Sequence, residues 1–408
     1  MTMVVSRRTV LSGAFAVFAS GSLGSTAFAQ AAHLPFARWV AAFRSRARAK
    51  GISDKTYDRV MGSLKPDTSV YALDQDQPEF HEEIWQYLNR RVSDWRVTAG
   101  KERAKEAMPL LKRVEHTYGV DPYVMLGLWG METAYGDLVT NPKHMRPVLP
   151  ALAALAWGEP RRRTYWEQEL LNAMVIVERG WADPKEMIGS WAGAMGHTQW
   201  MPEVWLNMGV DFDGDGKISP YGRPDDSLAG TARYLAERGK YRRGEGWGYE
   251  VVVPPGLPGG TMRTIASWHA RGVRRANGKP FPRPMEAARL WQPVPGGPVF
   301  LLTRNFDAVK SYNPANTYAL AVCHLGDRIR GEGPFVQAFP GSERAPTLAE
   351  IQEIQRRLTA LGFNTDGTDG RVGKDTMRAV RDFQIKSGLA PADGYAGLKV
   401  LARLRSTT

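Results

Sequence analysis

Residues 127 to 136 read GLWGMETAYG, and Glu132 is the one carboxylate among them. Ahead of it, Asp121-Pro122 suits a helix start, with Asp as N-cap and Pro in the first turn. On the helix that follows, Met125, Leu128, Trp129 and Glu132 share one face, so the acid lies among apolar neighbours. Partial withdrawal from water disfavours the charged form and raises a carboxyl pKa. Such a group can hold a proton near neutral pH and donate it to a leaving oxygen. The same pattern equally suits a glutamate bonded to a helix end or paired with an arginine. Gly127 and Gly130 remove side-chain bulk and permit close approach of another backbone or a ligand. Gly136 is placed to end the helix in a left-handed turn.

A second group of acids lies in GVDFDGDGKISPYGRPDD, residues 209 to 226. Asp211, Asp213 and Asp215 occupy positions 1, 3 and 5 of an EF-hand-like calcium loop. Gly216 falls at the turn position, and Lys217 can offer its backbone carbonyl. Gly222 stands where the usual bidentate glutamate would be. Asp226 is then the candidate closing ligand, with Asp225 as the alternative. An Asp/Gly turn with merely solvated acids fits the same letters.

Several helices must position these residues. FARWVAAFRSRARAKG, EEIWQYLNRRV and KERAKEAMPLLKRVEHTYG have helical apolar spacing, and further helices are predicted near 121–135, 147–157, 164–180, 183–190, 226–238 and 314–330. Between about 246 and 305, YEVVVP, ARLWQPV and PVFLLTRNF read as strands divided by the turns PPGLPGG and PVPGGP. The fold class is therefore mainly α with a small β element. GEGPFVQAFPGSERA, residues 332–346, has linker composition. A unit of roughly sixty residues follows, reading as three short helices between Asp-Gly loops, near the lower size limit for independent folding.

The chain has 408 residues, 43% of them hydrophobic and 24% charged, which is globular composition with room for more than one domain. Its start has Arg7-Arg8, an apolar stretch, and Ala27-Phe28-Ala29, an A-x-A cleavage pattern. A signal peptide over 1–29 is expected, by a twin-arginine or a general secretory route, placing the mature protein in the periplasm or elsewhere in the envelope. An uncleaved anchor is the other reading. No cysteine at the cleavage site is available for a lipid anchor. The formal charge of +12 draws an exported protein toward polyanions, membranes included, although no nucleic-acid module is recognisable. Cys323, the single cysteine, has helical apolar neighbours and reads as a buried thiol. No phosphate loop, zinc cluster or hydrolase serine elbow is recognisable, and the histidines, His33 and His81 among them, are scattered.

GLWGMETAYG resembles the catalytic helix of lytic transglycosylases that act on peptidoglycan. SWAGAMGHTQWMPEVW is similar to the S-x-A-G-A-M-G-x-x-Q-F-M-P segment of the membrane-bound lytic transglycosylase B family. LAWGEPRRRTYWEQEL and NFDAVKSYNPANTYALAVCHLG resemble two more of its segments, in the family's order. The resemblance implies a lysozyme-like catalytic domain over 30–331, with Glu132 as the single acid/base. It implies sugar-groove roles for Met195, Gln199, Tyr234, Tyr312, Asn313 and Tyr318. Arg161 and Arg162 match an arginine pair near the substrate's peptide or lactyl groups, and Arg163 leaves that register open by one. His197-Thr198 falls at a variable spot with no inferred role. Trp200 replaces the family's usual Phe. Residues 347–408 resemble the peptidoglycan-binding domain type 1, a three-helix unit.

The resemblance further implies cleavage between N-acetylmuramic acid and N-acetylglucosamine with formation of a 1,6-anhydro ring. It implies no cofactor for the chemistry, a structural calcium in some members, glycan strands as partner, and a monomer. A hydrolytic muramidase and a non-catalytic wall-binding protein are the competing readings.

Overall fold

A computed structural model of the chain describes residues 35–75, 82–143 and 145–407. The expected signal peptide, His33 and His81 lie outside the described residues. Among the described residues, no helix is long and apolar enough to cross a membrane.

Helix Pro122–Thr133 starts as its sequence requires. The Asp121 carboxylate accepts the Tyr123 N–H at 2.7 Å, and Pro122 takes the first turn. The helix runs through the larger apolar core against helix Asn316–Arg330, and glycines let the two backbones meet. A Cβ on Gly127 would stand 2.2 Å from the Val322 carbonyl oxygen, and one on Gly326 2.5 Å from that of Tyr123. Cys323 is buried beside this crossing, which pushes its thiol pKa up. Helices Asp94–Tyr118, Asp225–Glu237 and Arg304–Lys310 complete the core.

A second core gathers helices Phe36–Ala49, Asp54–Met61, Val148–Gly158 and Arg163–Glu178 around Trp166, Trp200 and Trp205. The helix expected at 183–190 does not form. The Asp183 carboxylate accepts the Lys185 N–H at 2.9 Å, while the Met187 carbonyl is taken by Val148 N–H at 2.8 Å. Side-chain and long-range bonds thus outcompete the helical ladder. Ile188–Gly189 (β2) instead pairs antiparallel with Arg146–Pro147 (β1).

Glu169 sits in this second core at 4% exposure, with the Glu203 N–H donating to it at 3.0 Å. Burial raises its pKa to about 7. Below about pH 4.5 the carboxyl is protonated in folded and unfolded chains alike. As pH rises toward 7 the unfolded chain loses that proton while the folded one keeps it, so this group's contribution to stability declines across the window. Glu169→Gln keeps an acceptor for Glu203 and removes the titration. The variant is expected to match the wild type near pH 5 and to exceed it near pH 8 by at most about 3 kcal/mol. Thermal melts of both proteins across that range check this, and parallel curves would refute it.

The strand patterns of the 246–305 region become β3 (Gly248–Val252), β6 (Ala287–Trp291) and β7 (Val299–Thr303), joined by short β4 (Arg263–Thr264) and β5 (Arg274–Arg275). The sheet is antiparallel, in the order β4-β6-β7-β3-β5. Residues 332–346 touch the body at a few points. The Val336 and Gln337 N–H groups both donate to the Glu250 carboxylate at 2.8 Å, and Phe335 stacks on His324 at 3.8 Å. Helices Leu348–Ala360, Lys374–Ser387 and Leu398–Arg405 then close a small core of their own. The described residues are thus mainly α, with a five-stranded sheet, a two-stranded pair and a three-helix C-terminal bundle.

Candidate active site

Glu132 lies one residue from the end of its helix, half-buried, on the seam between the two large cores. The helix ends at Thr133, and the left-handed exit begins at Ala134 (φ 52°) and Tyr135 (φ 63°), two residues before the expected Gly136 (φ 91°). Left-handed backbone at two non-glycine residues is costly and persists only where surroundings over-determine it. Here they do. Tyr135 donates its hydroxyl to the Arg96 carbonyl at 2.8 Å, and its ring occupies the space left by Gly130 and Gly100. Arg96, half-buried, donates to the Gly130 carbonyl at 3.1 Å. The Thr133 hydroxyl donates to the His197 carbonyl and accepts the Gly136 N–H at 3.1 Å, tying the helix end to the facing core.

The Tyr318 hydroxyl donates to Oε1 of Glu132. Burial and the adjacent Glu132 charge push the Tyr318 pKa well up, so the phenol stays protonated as a donor. Tyr312 donates to the Thr198 carbonyl at 2.6 Å; burial, then the Glu132 charge, raise its pKa too. Tyr234 packs edge-on to Tyr312 at 5.3 Å and donates to the Ser311 carbonyl at 2.9 Å. The half-buried Asn313 caps its own turn by accepting the Ala315 N–H at 3.1 Å. Gln199, left-handed at φ 57°, donates to the Gly196 carbonyl at 3.0 Å and lines a cavity of about 510 Å³. The structure thus gathers Glu132, Tyr318, Tyr312, Tyr234, Asn313 and the 198–199 backbone from four separate stretches of chain.

Three further stretches take the following places. Met195 is fully buried in the second core, so its side chain does not line an open groove; its backbone pairs with Trp200 at 2.8 Å in both directions. Arg161 and Arg162 sit at the start of helix Arg163–Glu178, on the other core from Glu132. Arg161 pairs with Glu159 at 2.8 Å, and Arg162 lies over the Tyr165 and Trp166 rings at 4.5 and 4.8 Å. His197-Thr198 proves to be structural. Its two carbonyls receive Thr133 and Tyr312, and Thr198 Oγ1 joins Ser227 and Thr231 in a buried hydroxyl chain with 2.8 Å links. Hydroxyls so far apart in sequence leave no local signal.

In the acidic loop, carboxylate oxygens of Asp211, Asp213 and Asp226 lie within 4.8 Å of one another. Asp226 is buried, which raises its pKa, and it accepts the Phe212 and Ser219 N–H groups at 2.7 and 2.9 Å. Asp225 instead faces Arg113 and Arg223, each at 3.2 Å. Asp215 is exposed, accepts the Lys217 N–H at 2.8 Å, and is outside the three-acid cluster. Converging carboxylates, one of them buried, fit a hard oxygen-seeking cation.

The transglycosylase SLT domain family model matches residues 35–327, and the peptidoglycan binding domain model matches residues 347–404. The membrane-bound lytic murein transglycosylase B of Escherichia coli strain K12 is 30% identical over 282 residues, spanning 66% of this chain and 73% of that protein. The crystal structure of SltB3 from Pseudomonas aeruginosa with NAG-anhNAM-pentapeptide superimposes with a TM-score of 0.69 at 38% identity, covering 91% of this chain and 99% of that one. Escherichia coli lytic transglycosylase Slt35 in complex with calcium gives a TM-score of 0.61 at 27% identity, covering 73% and 93%. With one family model spanning most of its length and these relatives matching the same fold, the chain belongs to the transglycosylase SLT domain family and is a lytic transglycosylase.

Proposed function

We propose that this enzyme acts on peptidoglycan glycan strands, cleaving the bond between N-acetylmuramic acid and N-acetylglucosamine with Glu132 as acid and then base. The observation that carries this is the Tyr318–Glu132 hydrogen bond at the seam of the two cores, which fixes the carboxyl's orientation in a half-buried setting. In the first step the Glu132 proton passes to the glycosidic oxygen as the bond to C1 breaks, releasing the N-acetylglucosamine end as an alcohol. The muramyl C6 hydroxyl then bonds to C1, and its proton returns to the Glu132 carboxylate. No water is consumed. An intramolecular nucleophile has a large proximity advantage, so one carboxylate suffices where most glycosidases need two. Asp137, the next acid in the chain, is ion-paired with Arg371 at 2.7 Å and takes no part. The relative crystallised with NAG-anhNAM-pentapeptide supports the anhydro product.

Tyr312, Asn313 and Tyr318 hold the ring as positive charge develops at C1, while Gln199 and Tyr234 contact the flanking sugar. The C-terminal module holds the wall, the protein is a monomer, and export delivers it to the periplasm. Mass spectrometry of soluble products from purified sacculi tests the reaction. Muramyl ends lacking one water are expected, and fully hydrated ends would establish a muramidase instead.

Asp211, Asp213 and Asp226 would hold a calcium ion that stabilises the loop and takes no part in the chemistry. Added calcium is expected to raise the melting temperature by a few degrees, on the order of 1–2 kcal/mol at saturating ion. Asp211→Ala should erase the response, and an unchanged melt in the wild type would rule the site out.

A further inference from the structure

We propose that the C-terminal module holds residues 137–143, which border the Gln199 cavity directly after the Glu132 helix, in place during turnover, beyond any role as a tether. This rests on Glu132 marking the substrate groove. Residues 137–143 follow directly on the Glu132 helix and its left-handed exit. Leu138, Val139, Thr140 and Pro142 line a 510 Å³ cavity together with Tyr221 and with Gln199, the residue assigned above to the flanking sugar. Their one-turn helix, Asp137–Thr140, has no buried residue, so packing of its own does little to fix its position.

The segment is held by the module. Arg371 Nη1 lies 2.7 Å from the Asp137 carboxylate, and its guanidinium sits 4.4 Å over the Trp95 ring. Lys143, at the far end of the segment, pairs with Asp366. Both partners come from the Asp-Gly loops between the first two helices of the module. The module is itself seated on residues 85–94 by contacts that do not involve the segment. Gln86 donates to Asp393 at 2.7 Å and Asn89 to the Tyr395 hydroxyl at 2.9 Å, while the Leu348 N–H donates to Asp94 at 3.1 Å. Trp85 packs edge-on to Tyr395 at 5.0 Å. A unit anchored on residues 85–94 thus reaches across to clamp both ends of a thinly supported segment beside the Gln199 cavity. Each exposed ion pair is weak by itself, but here two pairs and a cation–aromatic contact act on a segment with little competing packing. A shift of the segment on the ångström scale is enough to misplace a sugar for reaction.

The test separates clamping from tethering. Activity is measured with full-length protein on a soluble glycan oligomer stripped of its peptides, where tethering to an insoluble wall offers no advantage. Lys143→Asp and Asp366→Lys are each expected to lower kcat/KM by about threefold to tenfold. The doubly exchanged variant, with the pair re-formed in reverse, should return to within about twofold of the wild type. Amide hydrogen exchange at 137–143 should quicken in the single variants and recover in the double one, with melting temperatures unchanged. Wild-type activity of both single variants on the soluble oligomer would overturn the proposal, as would a loss that the reversed pair does not repair. A wrong assignment of Glu132 would show separately, because Glu132→Gln would then stay active whatever the state of the clamp.

Discussion

Replacing Glu132 with glutamine is expected to lower turnover on peptidoglycan by on the order of 100- to 10,000-fold, and by more where one group acts twice. The substitution is nearly isosteric, and its amide oxygen still accepts the Tyr318 hydroxyl, so geometry at the helix end is retained. The amide cannot release a proton to the glycosidic oxygen, nor take one from the C6 hydroxyl. Both steps fail together. Binding to sacculi and the melting temperature should match the wild type, since the module's core and its contacts lie elsewhere. Turbidity clearance of sacculi with matched protein concentrations reads the effect. Residual activity within about tenfold of the wild type would count decisively against the assignment.

Gly127→Ala should be nearly as damaging, though it touches no substrate. Helix propensity alone favours alanine there by about 1 kcal/mol. The tertiary contact reverses the sign. A methyl 2.2 Å from the Val322 carbonyl oxygen overlaps backbone, not a movable side chain, so helices Pro122–Thr133 and Asn316–Arg330 must separate. Overpacking of this kind costs about 3 kcal/mol or more. These two helices carry Glu132 and Tyr318, so their separation also stretches the hydrogen bond that orients the acid. A loss of about 100-fold in kcat is expected with the drop in stability, given how steeply rate depends on alignment. Thermal melts and rate measurements on one preparation check both effects. A melting temperature within about 1 °C of the wild type would sink the packing argument.

What the sequence determined by itself was local. Asp121-Pro122 opens the helix because a carboxylate caps free N–H groups and proline lacks one. Helical spacing put Glu132 among apolar residues, and Gly127 announced a close backbone approach because a missing Cβ near a helix crossing has few other uses. Strand-like runs divided by Pro/Gly turns placed β3, β6 and β7, and the Asp-x-Asp-x-Asp spacing drew attention to Asp211 and Asp213. Family motifs supplied the sugar-site residues, which composition and period could not.

Tertiary structure decided the rest, because it depends on groups far apart in the chain. The 183–190 stretch has helical letters, yet Val148 captures the Met187 carbonyl and the helix is lost. Met195 belongs to the motif but points into the second core. Asp226 and Asp225 are indistinguishable as neighbours in sequence. Proximity to Asp211 and Asp213 selects the first, while two arginines claim the second. His197-Thr198 carried no signal, because it contributes two backbone carbonyls, which every residue has, and one hydroxyl whose partners lie about thirty residues away. Residues 332–346 have linker composition, which does not reveal that Glu250 of β3 collects two of their N–H groups. Periodicity reports which face of an element is apolar. Which partner covers that face, and which distant polar group completes a hydrogen bond, is set only when the whole chain packs.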